Sequence, residues 1–322
     1  MIKRSLKKFK FVNLAFEYFI LFSNYFFLPF SKLLETFSKS KLLRRIIFNM
    51  YPRNKELLLN TDYGKFIINT NSRIIAKKSY VNNIPYSAMT VQKVLKILEK
   101  ENFSIENFID IGANIGTTSI SASFLDDKIN FLCIEGNSDN YESLKRNIKV
   151  NNLEKRFNQI NEIIGEKKYL RYFVDFAEEG GCSRVFDDID ELNKYKKEYS
   201  FKVKSLREVK TKPLDDILKN FKNTNLMLWI DIEGLDLEIL QSNIIKNCNP
   251  VYFEFNPTFY KLKFDNYEKY ISNAEDYLIQ CGYKFYFVEN KNLKKEKIRK
   301  NFLIDEIKYL GKNKSSTNLL II

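Results

Sequence analysis

Three acidic sites, each closing an apolar run, carry the chemistry available to this sequence. The first is Asn107-Phe-Ile-Asp110-Ile-Gly112-Ala113-Asn114-Ile-Gly116-Thr117-Thr118-Ser119, an apolar strand that turns through glycines into a helix. Gly112 and Gly116 lack a Cβ, so the turn can take positive φ and admit a nucleoside closely, with free N–H groups at the helix start pointing outward. Asp110, at the strand's carboxyl end, is placed to accept hydrogen bonds or to pair with a cationic ligand group. The second site is Phe131-Leu-Cys133-Ile-Glu135-Gly136. Glu135 stands 19 residues after Gly116, where an open α/β sheet sets an acid against ribose hydroxyls. The third is Leu228-Trp229-Ile230-Asp231-Ile232-Glu233-Gly234. Asp231 and Glu233 are two apart and share a face in extended chain, where they could position or deprotonate a substrate hydroxyl. They could also hold a divalent cation through oxygen ligands, although the sequence assigns no metal site.

Two cofactors compete for the glycine turn. A dinucleotide fingerprint requires glycine at three places, and read from Gly112 the second place is Asn114 and the third Thr117, so both fail. An acid two residues before the first glycine, with another glycine four later, suits S-adenosylmethionine, which has no pyrophosphate but carries an ammonium and a sulfonium. Glu135 alone marks a nucleoside and not which one. Asn256-Pro257-Thr258-Phe259 looks like the N-P-P-F/Y loop of amino-group methyltransferases, but it follows the wrong strand and reads as an ordinary Asn-Pro turn.

Composition narrows the chemistry further. Histidine is absent, which excludes a Ser-His-Asp triad, a Cys-His dyad, an H-E-x-x-H zinc site and a His-ligated haem within this chain. A length of 322 residues suggests about two units at ~150 residues per domain. Cys133, Cys182, Cys248 and Cys281 form no C-x-x-C pair and read as reduced thiols of a cytoplasmic protein. There are 53 Lys+Arg against 40 Asp+Glu, a net charge of +13 that is unevenly spread. Lys3, Arg4, Lys7, Lys8 and Lys10 crowd the start, and Lys291, Lys294, Lys295, Lys297, Arg299 and Lys300 form a second run.

Between Lys10 and Lys32 the only formal charge is Glu17, in a stretch crowded with aromatics. Its uncharged part, Tyr18 to Ser31, is 14 residues, short of the ~20 needed to span a bilayer. The pattern predicts an interfacial helix, with residues 1–32 against an anionic membrane surface at the inner face of the membrane; packing on the protein itself and a true span are the alternatives.

The elements that must position the acids follow from the apolar pattern. Residues 1–52 read as a basic, aromatic helical segment and 53–104 as a small antiparallel hairpin and helix cap. Residues 105–322 alternate buried strands with helices, the signature of a parallel sheet covered on both faces. Strands are expected at Asn107–Ile111, Asn130–Glu135, Gln159–Ile164, Leu226–Ile232, Val251–Phe255, Lys284–Val288 and Thr317–Ile322, and helices at Thr117–Phe124, Ser138–Asn151, Leu235–Ile245 and Tyr267–Cys281. Ala177 to Tyr199, rich in acids and without a clear apolar period, reads as a loop or insertion near the strand ends.

The combination IDIGANIGTTS, CIEGNSDNYESLKRNIKVNN, PLDDIL, LWIDIEGLDLEILQ and YFEFNP closely resembles the FkbM-family S-adenosylmethionine-dependent methyltransferases, from about Leu57 to the C-terminus. The resemblance implies an α/β, Rossmann-like class I methyltransferase fold with a mostly parallel seven-stranded sheet. It places the cofactor loop on Gly112, Ala113, Asn114, Ile115 and Gly116, with Asp110, Thr117, Glu135 and Gly136 beside it. Gly136 departs from the family, which often has Pro there. Asn147 and Asn151 fall where the family has asparagines, Asp231, Glu233 and Gly234 on its D-x-E-G motif, and Glu254 on a recurrent acid. The implied activity is O-methylation of a hydroxyl on a sugar, glycan or related small molecule, with Asp231 or Glu233 taking the hydroxyl proton. An RNA methyltransferase and a non-catalytic scaffold are the alternatives, and nucleic acid is the less expected partner because no RNA-binding module accompanies the charge.

Overall fold

The computed structural model describes residues 40–72, 74–165, 170–176, 183–200, 202–219, 221, 225–310 and 316–322. The expected interfacial segment 1–32 and Cys182 lie outside the described residues. Helix α1 (Lys41–Met50) leads into a hairpin of β1 (Glu56–Thr61) and β2 (Gly64–Asn69), then α2 (Ile75–Asn82) and α3 (Ala88–Lys100). Val91, Val94 and Leu98 recur at helical spacing on α3 and are buried, as that period predicts.

The main sheet begins with β3 (Asn107–Ile111), α4 (Thr117–Leu125), β4 (Asn130–Ile134), α5 (Ser138–Val150) and β5 (Phe157–Ile160). An antiparallel insertion of β6 (Leu170–Phe176), β7 (Arg184–Phe186), α6 (Ile189–Tyr199) and β8 (Val203–Lys210) follows, with strand order β7-β6-β8. The chain returns through α7 (Leu214–Leu218), β9 (Leu226–Ile230), α8 (Asp236–Ile239), β10 (Val251–Phe255), α9 (Pro257–Lys263), α10 (Tyr267–Gln280), β11 (Phe285–Val288), β12 (Lys294–Lys297), α11 (Phe302–Leu310) and β13 (Thr317–Ile321). The sheet order is β12-β11-β13-β10-β9-β3-β4-β5. Strands β5, β4, β3, β9 and β10 pair in parallel, and β13 runs antiparallel to both β10 and β11.

Period-two alternation on the central strands builds a core on each face. Ile109, Leu132, Leu228 and Ile230 pack one way, and Phe108, Phe131, Met227 and Trp229 the other. The hairpin's Phe66 and Ile68 join the second core, so the cap shares its apolar interior with the sheet.

Three expectations are corrected. The sheet has eight strands, because the second basic run supplies the edge strand β12, where Lys295 pairs with Glu101. The interval 177–199 is not a plain loop: its described part forms β7 and α6. The acids there are a helix start, with the Asp188 side chain accepting from Glu191 N at 2.8 Å and Glu191 Oε2 from Asp187 N at 2.8 Å. The helix expected at Leu235–Ile245 is two short pieces, α8 and a 3₁₀ turn over Asn243–Asn247.

Asn147 and Asn151 serve the hairpin. Ile67 N donates to Asn147 Oδ1 at 2.6 Å and Lys65 N to Asn151 Oδ1 at 2.8 Å, while the two side-chain amides donate back to the carbonyls of Ile67 and Lys65 at 3.3 and 2.7 Å. Four helical residues rise ~6 Å and two strand residues ~6.8 Å, so an i,i+4 pair matches the free edge of β2. Asn147 also donates to Ile115 O at 2.8 Å, tying the hairpin to the glycine turn. Removing it strands buried backbone groups. Asn147→Ala is expected to cost about 2–3 kcal/mol and to lower the thermal midpoint by roughly 4–10 °C, as read by circular dichroism; an unchanged midpoint would show that the hairpin is held otherwise.

Candidate active site

Four strand ends are stitched together before any side chain is considered. Gly112 N and Ala113 N both donate to Ile134 O at 2.9 and 3.0 Å, Asp231 N donates to Ile111 O at 2.9 Å, and Glu135 N to Ile160 O at 3.0 Å. Gly112 sits at φ +88°, and a Cβ there would lie 1.9 Å from the Asp231 carbonyl oxygen. At Gly116, also φ +88°, a Cβ would meet Leu144 Cδ1 at 2.7 Å. Both glycines are thus demanded by backbone conformation and by the protein's own packing, in addition to any approach of a ligand.

Glu135 is fixed by the turn it faces. Its Oε2 accepts from Asn114 N and its Oε1 from Asn137 N, each at 2.7 Å, with the Asn140 side chain as a further donor. Burial pushes its carboxyl up to about 7, partly offset by those two backbone donors. It lines a narrow pocket with Gly112, Asn114, Gly136, Ile163 and Asp231. Asp110 is placed differently from its expected role: it is buried, accepts from the Ser119 hydroxyl, is pushed up to about 7 by burial, and lines neither this pocket nor the cleft below. Gly116 lines neither as well.

A larger cleft of about 400 Å³ lies beyond the same turn, bordered by Gly112, Ala113, Asn114, Thr117, Asp231 and Glu233. Glu254, from β10, joins Asp231 and Glu233, and one oxygen from each lies within 4.8 Å of the others. Asp231 opens onto solvent at the cleft floor, and Glu233 and Glu254 are half-buried. Loss of hydration at that floor, followed by the charges of Glu254, Glu233, Asp236 and Asp110, holds the Asp231 carboxyl well above the usual carboxylate range. Burial likewise raises Glu254. Three carboxylates so placed could take a proton from a hydroxyl or hold a cation. Glu233 and Gly234 occupy left-handed backbone, φ +54° and +109°, which turns the acids into the cleft.

Asn256 behaves as a helix cap: its side chain accepts from Thr258 N at 3.2 Å and Pro257 takes the first turn of α9. Among the polar cleft residues absent from the sequence reading are Thr90, Tyr252, Glu289 and Asn318. Single polar residues far apart in the chain carry no local signal; the register of β13 against β10 and β11 brings Asn318 beside Tyr252 and Glu289, and α3 adds Thr90.

A sheet with five successive parallel strands and β13 reversed between β10 and β11, a glycine turn after β3 and an acid closing β4 define a class I S-adenosylmethionine-dependent methyltransferase. The Methyltransferase FkbM domain model matches residues 110–285, and the chain belongs to the FkbM methyltransferase family, with S-adenosyl-L-methionine as methyl donor. No curated protein matches its sequence. Among solved structures, it is similar to a putative caffeoyl-CoA O-methyltransferase from Staphylococcus aureus, at 14% identity and TM-score 0.38, over 77% of this chain and 90% of that one. It is also similar to the Pyrococcus abyssi tRNA (uracil-54, C5)-methyltransferase in complex with S-adenosyl-L-homocysteine, at 13% identity and TM-score 0.38, over 84% of this chain and 44% of that one.

A pH dependence follows from Glu135. Its folded-state pKa lies above the ordinary 4.5, so between about 4.5 and 7 the folded protein holds a proton that the unfolded chain has released. Its contribution to stability without ligand therefore falls as pH rises through that window. Ribose hydroxyls need the ionised carboxylate, so affinity for S-adenosylhomocysteine is expected to rise about tenfold between pH 6 and pH 8. Titration calorimetry should find that dependence flattened, and affinity lowered, in Glu135→Gln.

Proposed function

We propose that this methyltransferase acts on a hydroxyl of a sugar, glycan or related small molecule, with Asp231 as the group that receives the hydroxyl proton. The observation that carries the reading is the Asp231, Glu233 and Glu254 cluster in the cleft beside the glycine turn. When bound, the donor supplies an electrophilic methyl on a sulfonium. Glu135 and the Asn114 turn would hold its nucleoside, and Gly112, Ala113 and Thr117 would border its amino-acid end. What remains for the chain is to hold the acceptor oxygen in line and to take its proton. Histidine is not needed for this.

Methyl transfer from labelled donor to a panel of glycosides and glycans tests the reading. Asp231→Asn is expected to lower kcat by about 10²–10⁴-fold. The same variant should keep the thermal stabilisation by S-adenosylhomocysteine, ~2.7 kcal/mol at 100 times Kd. Full activity in Asp231→Asn with loss in Glu233→Gln would move the base to Glu233, and incorporation into RNA in place of glycosides would favour an RNA acceptor.

The proposal includes attachment to an anionic membrane surface. Its support is the outward face of α1, which leaves Leu42 67% and Ile46 48% exposed beside Lys41 and Arg45, directly after the basic, aromatic sequence of residues 1–32. Among the described residues no helix is long and apolar enough to cross a membrane. Sedimentation with anionic vesicles should fall at least several-fold in Leu42→Glu/Ile46→Glu and on deletion of residues 1–39, and fall with added salt in the parent; unchanged sedimentation in both would sink the attachment.

A further inference from the structure

The family domain covers residues 110–285, yet the larger cleft is closed by side chains from both sides of that span. Thr90 comes from α3, Glu289 from the turn after β11 and Asn318 from β13, and they converge on one group. Glu289 Oε1 accepts from the Thr90 hydroxyl at 2.9 Å, and its Oε2 from Asn318 Nδ2 at 2.6 Å and the Tyr252 hydroxyl at 3.3 Å. Oε2 is then full, while Oε1 keeps one lone pair. Three neutral donors from three elements orient this carboxylate without cancelling its charge.

The rest of the cleft has the same sign. Asp231, Glu233 and Glu254 border it, and among the described residues no Lys or Arg does, in a chain with 53 of them. Lys291, two residues from Glu289, is drawn away to Glu306 at 2.6 Å. A phosphate or carboxylate on the acceptor would meet four acidic side chains and, among the described residues lining the cleft, no Lys or Arg, whereas a hydroxyl or ammonium would meet acceptors. Tyr86, Trp229 and Tyr252 also border the cleft, Trp229 and Tyr252 stacked on one another at 3.8 Å.

We infer that Glu289, oriented by Thr90, Tyr252 and Asn318, is the specificity-determining group of the acceptor site, and that the part of the acceptor entering the cleft is a polyhydroxylated unit without phosphate or carboxylate, one of whose hydroxyl or ammonium groups donates to Glu289. The inference rests on reading this cleft as the acceptor site. It separates the chain's roles: donor turn and acid turn lie inside the family domain, and acceptor choice is set from outside it.

Saturation-transfer NMR on the full chain loaded with S-adenosylhomocysteine tests it. The probes are methyl glucoside, methyl galactoside and methyl glucosaminide against methyl glucuronide and glucose 6-phosphate. The neutral or amino members are expected to bind at least tenfold more tightly than the anionic ones. Glu289→Gln should weaken that binding about tenfold and leave the thermal shift by S-adenosylhomocysteine unchanged. Equal binding of the anionic probes, no binding of any neutral or amino probe, unchanged glycoside binding in Glu289→Gln, or a matching loss of S-adenosylhomocysteine binding would each overturn the inference. If the variant does not fold, the charge preference of the parent protein decides alone. Binding with the expected preference but without methyl transfer to those hydroxyls would overturn the reaction assigned above and leave the acceptor chemistry standing.

Discussion

The α-carbon of Gly112 and the carbonyl oxygen of Asp231 approach so closely that no side chain fits between them. Everything in the site depends on that contact. It brings the turn after β3 against the turn after β9, and the hydrogen bonds from Asp231 N to Ile111 O and from Gly112 N to Ile134 O lock three strand ends at a common level. Glu135 and the acid turn then stand on opposite sides of one glycine, so the narrow pocket and the larger cleft share a wall. Any residue other than glycine would separate the strand ends, and the acids would lose their common floor.

That constraint explains which parts of the molecule could be read from the amino-acid order. Local patterns were legible: the glycine turn from Asp110 to Gly116, the acid that closes β4, and the strand runs Asn107–Ile111 and Val251–Phe255 that agree residue for residue. Each is written within a dozen residues and rests on sterics or periodicity. Asp110 shows the limit. Its spacing before Gly112 marks the turn correctly, but strand alternation directs the side chain to Ser119 inside the fold and away from the cleft. Asn147 and Asn151 show it again, since only the tertiary packing of α5 on β2 reveals that the pair satisfies a strand edge.

The strands of the insertion were hidden for a different reason. Strand β8 is exposed along most of its length and carries charged residues throughout, so it has no apolar alternation to betray it. Its partner β6 pairs in turn with β7, both apolar but short, and the acids after β7 look like loop until Asp188 is recognised as a cap. The strands exist because they pair with each other and bury Val174, Phe176 and Phe186 with α6 and Phe259, and Phe173 and Val185 with Leu235, not because each is a strong strand alone.

Charge adds registry between the insertion and the sheet to those apolar contacts. Arg171, fully buried, donates from Nη2 to Glu238 Oε2 at 2.7 Å and forms an ion pair from Nε to Asp187 Oδ1 at 2.8 Å, and Lys263 reaches the other Asp187 oxygen at 2.6 Å. Arg184 lies over the Phe259 ring at 3.5 Å and fills the space a side chain on Gly234 would need. An apolar seam would tolerate sliding, whereas a buried guanidinium with directional partners leaves a charge stranded when displaced by even part of a side chain. The insertion is thereby held in one position against the Glu233–Gly234 turn. The left-handed backbone there, costly on its own for Glu233, is kept in place by the elements packed around it.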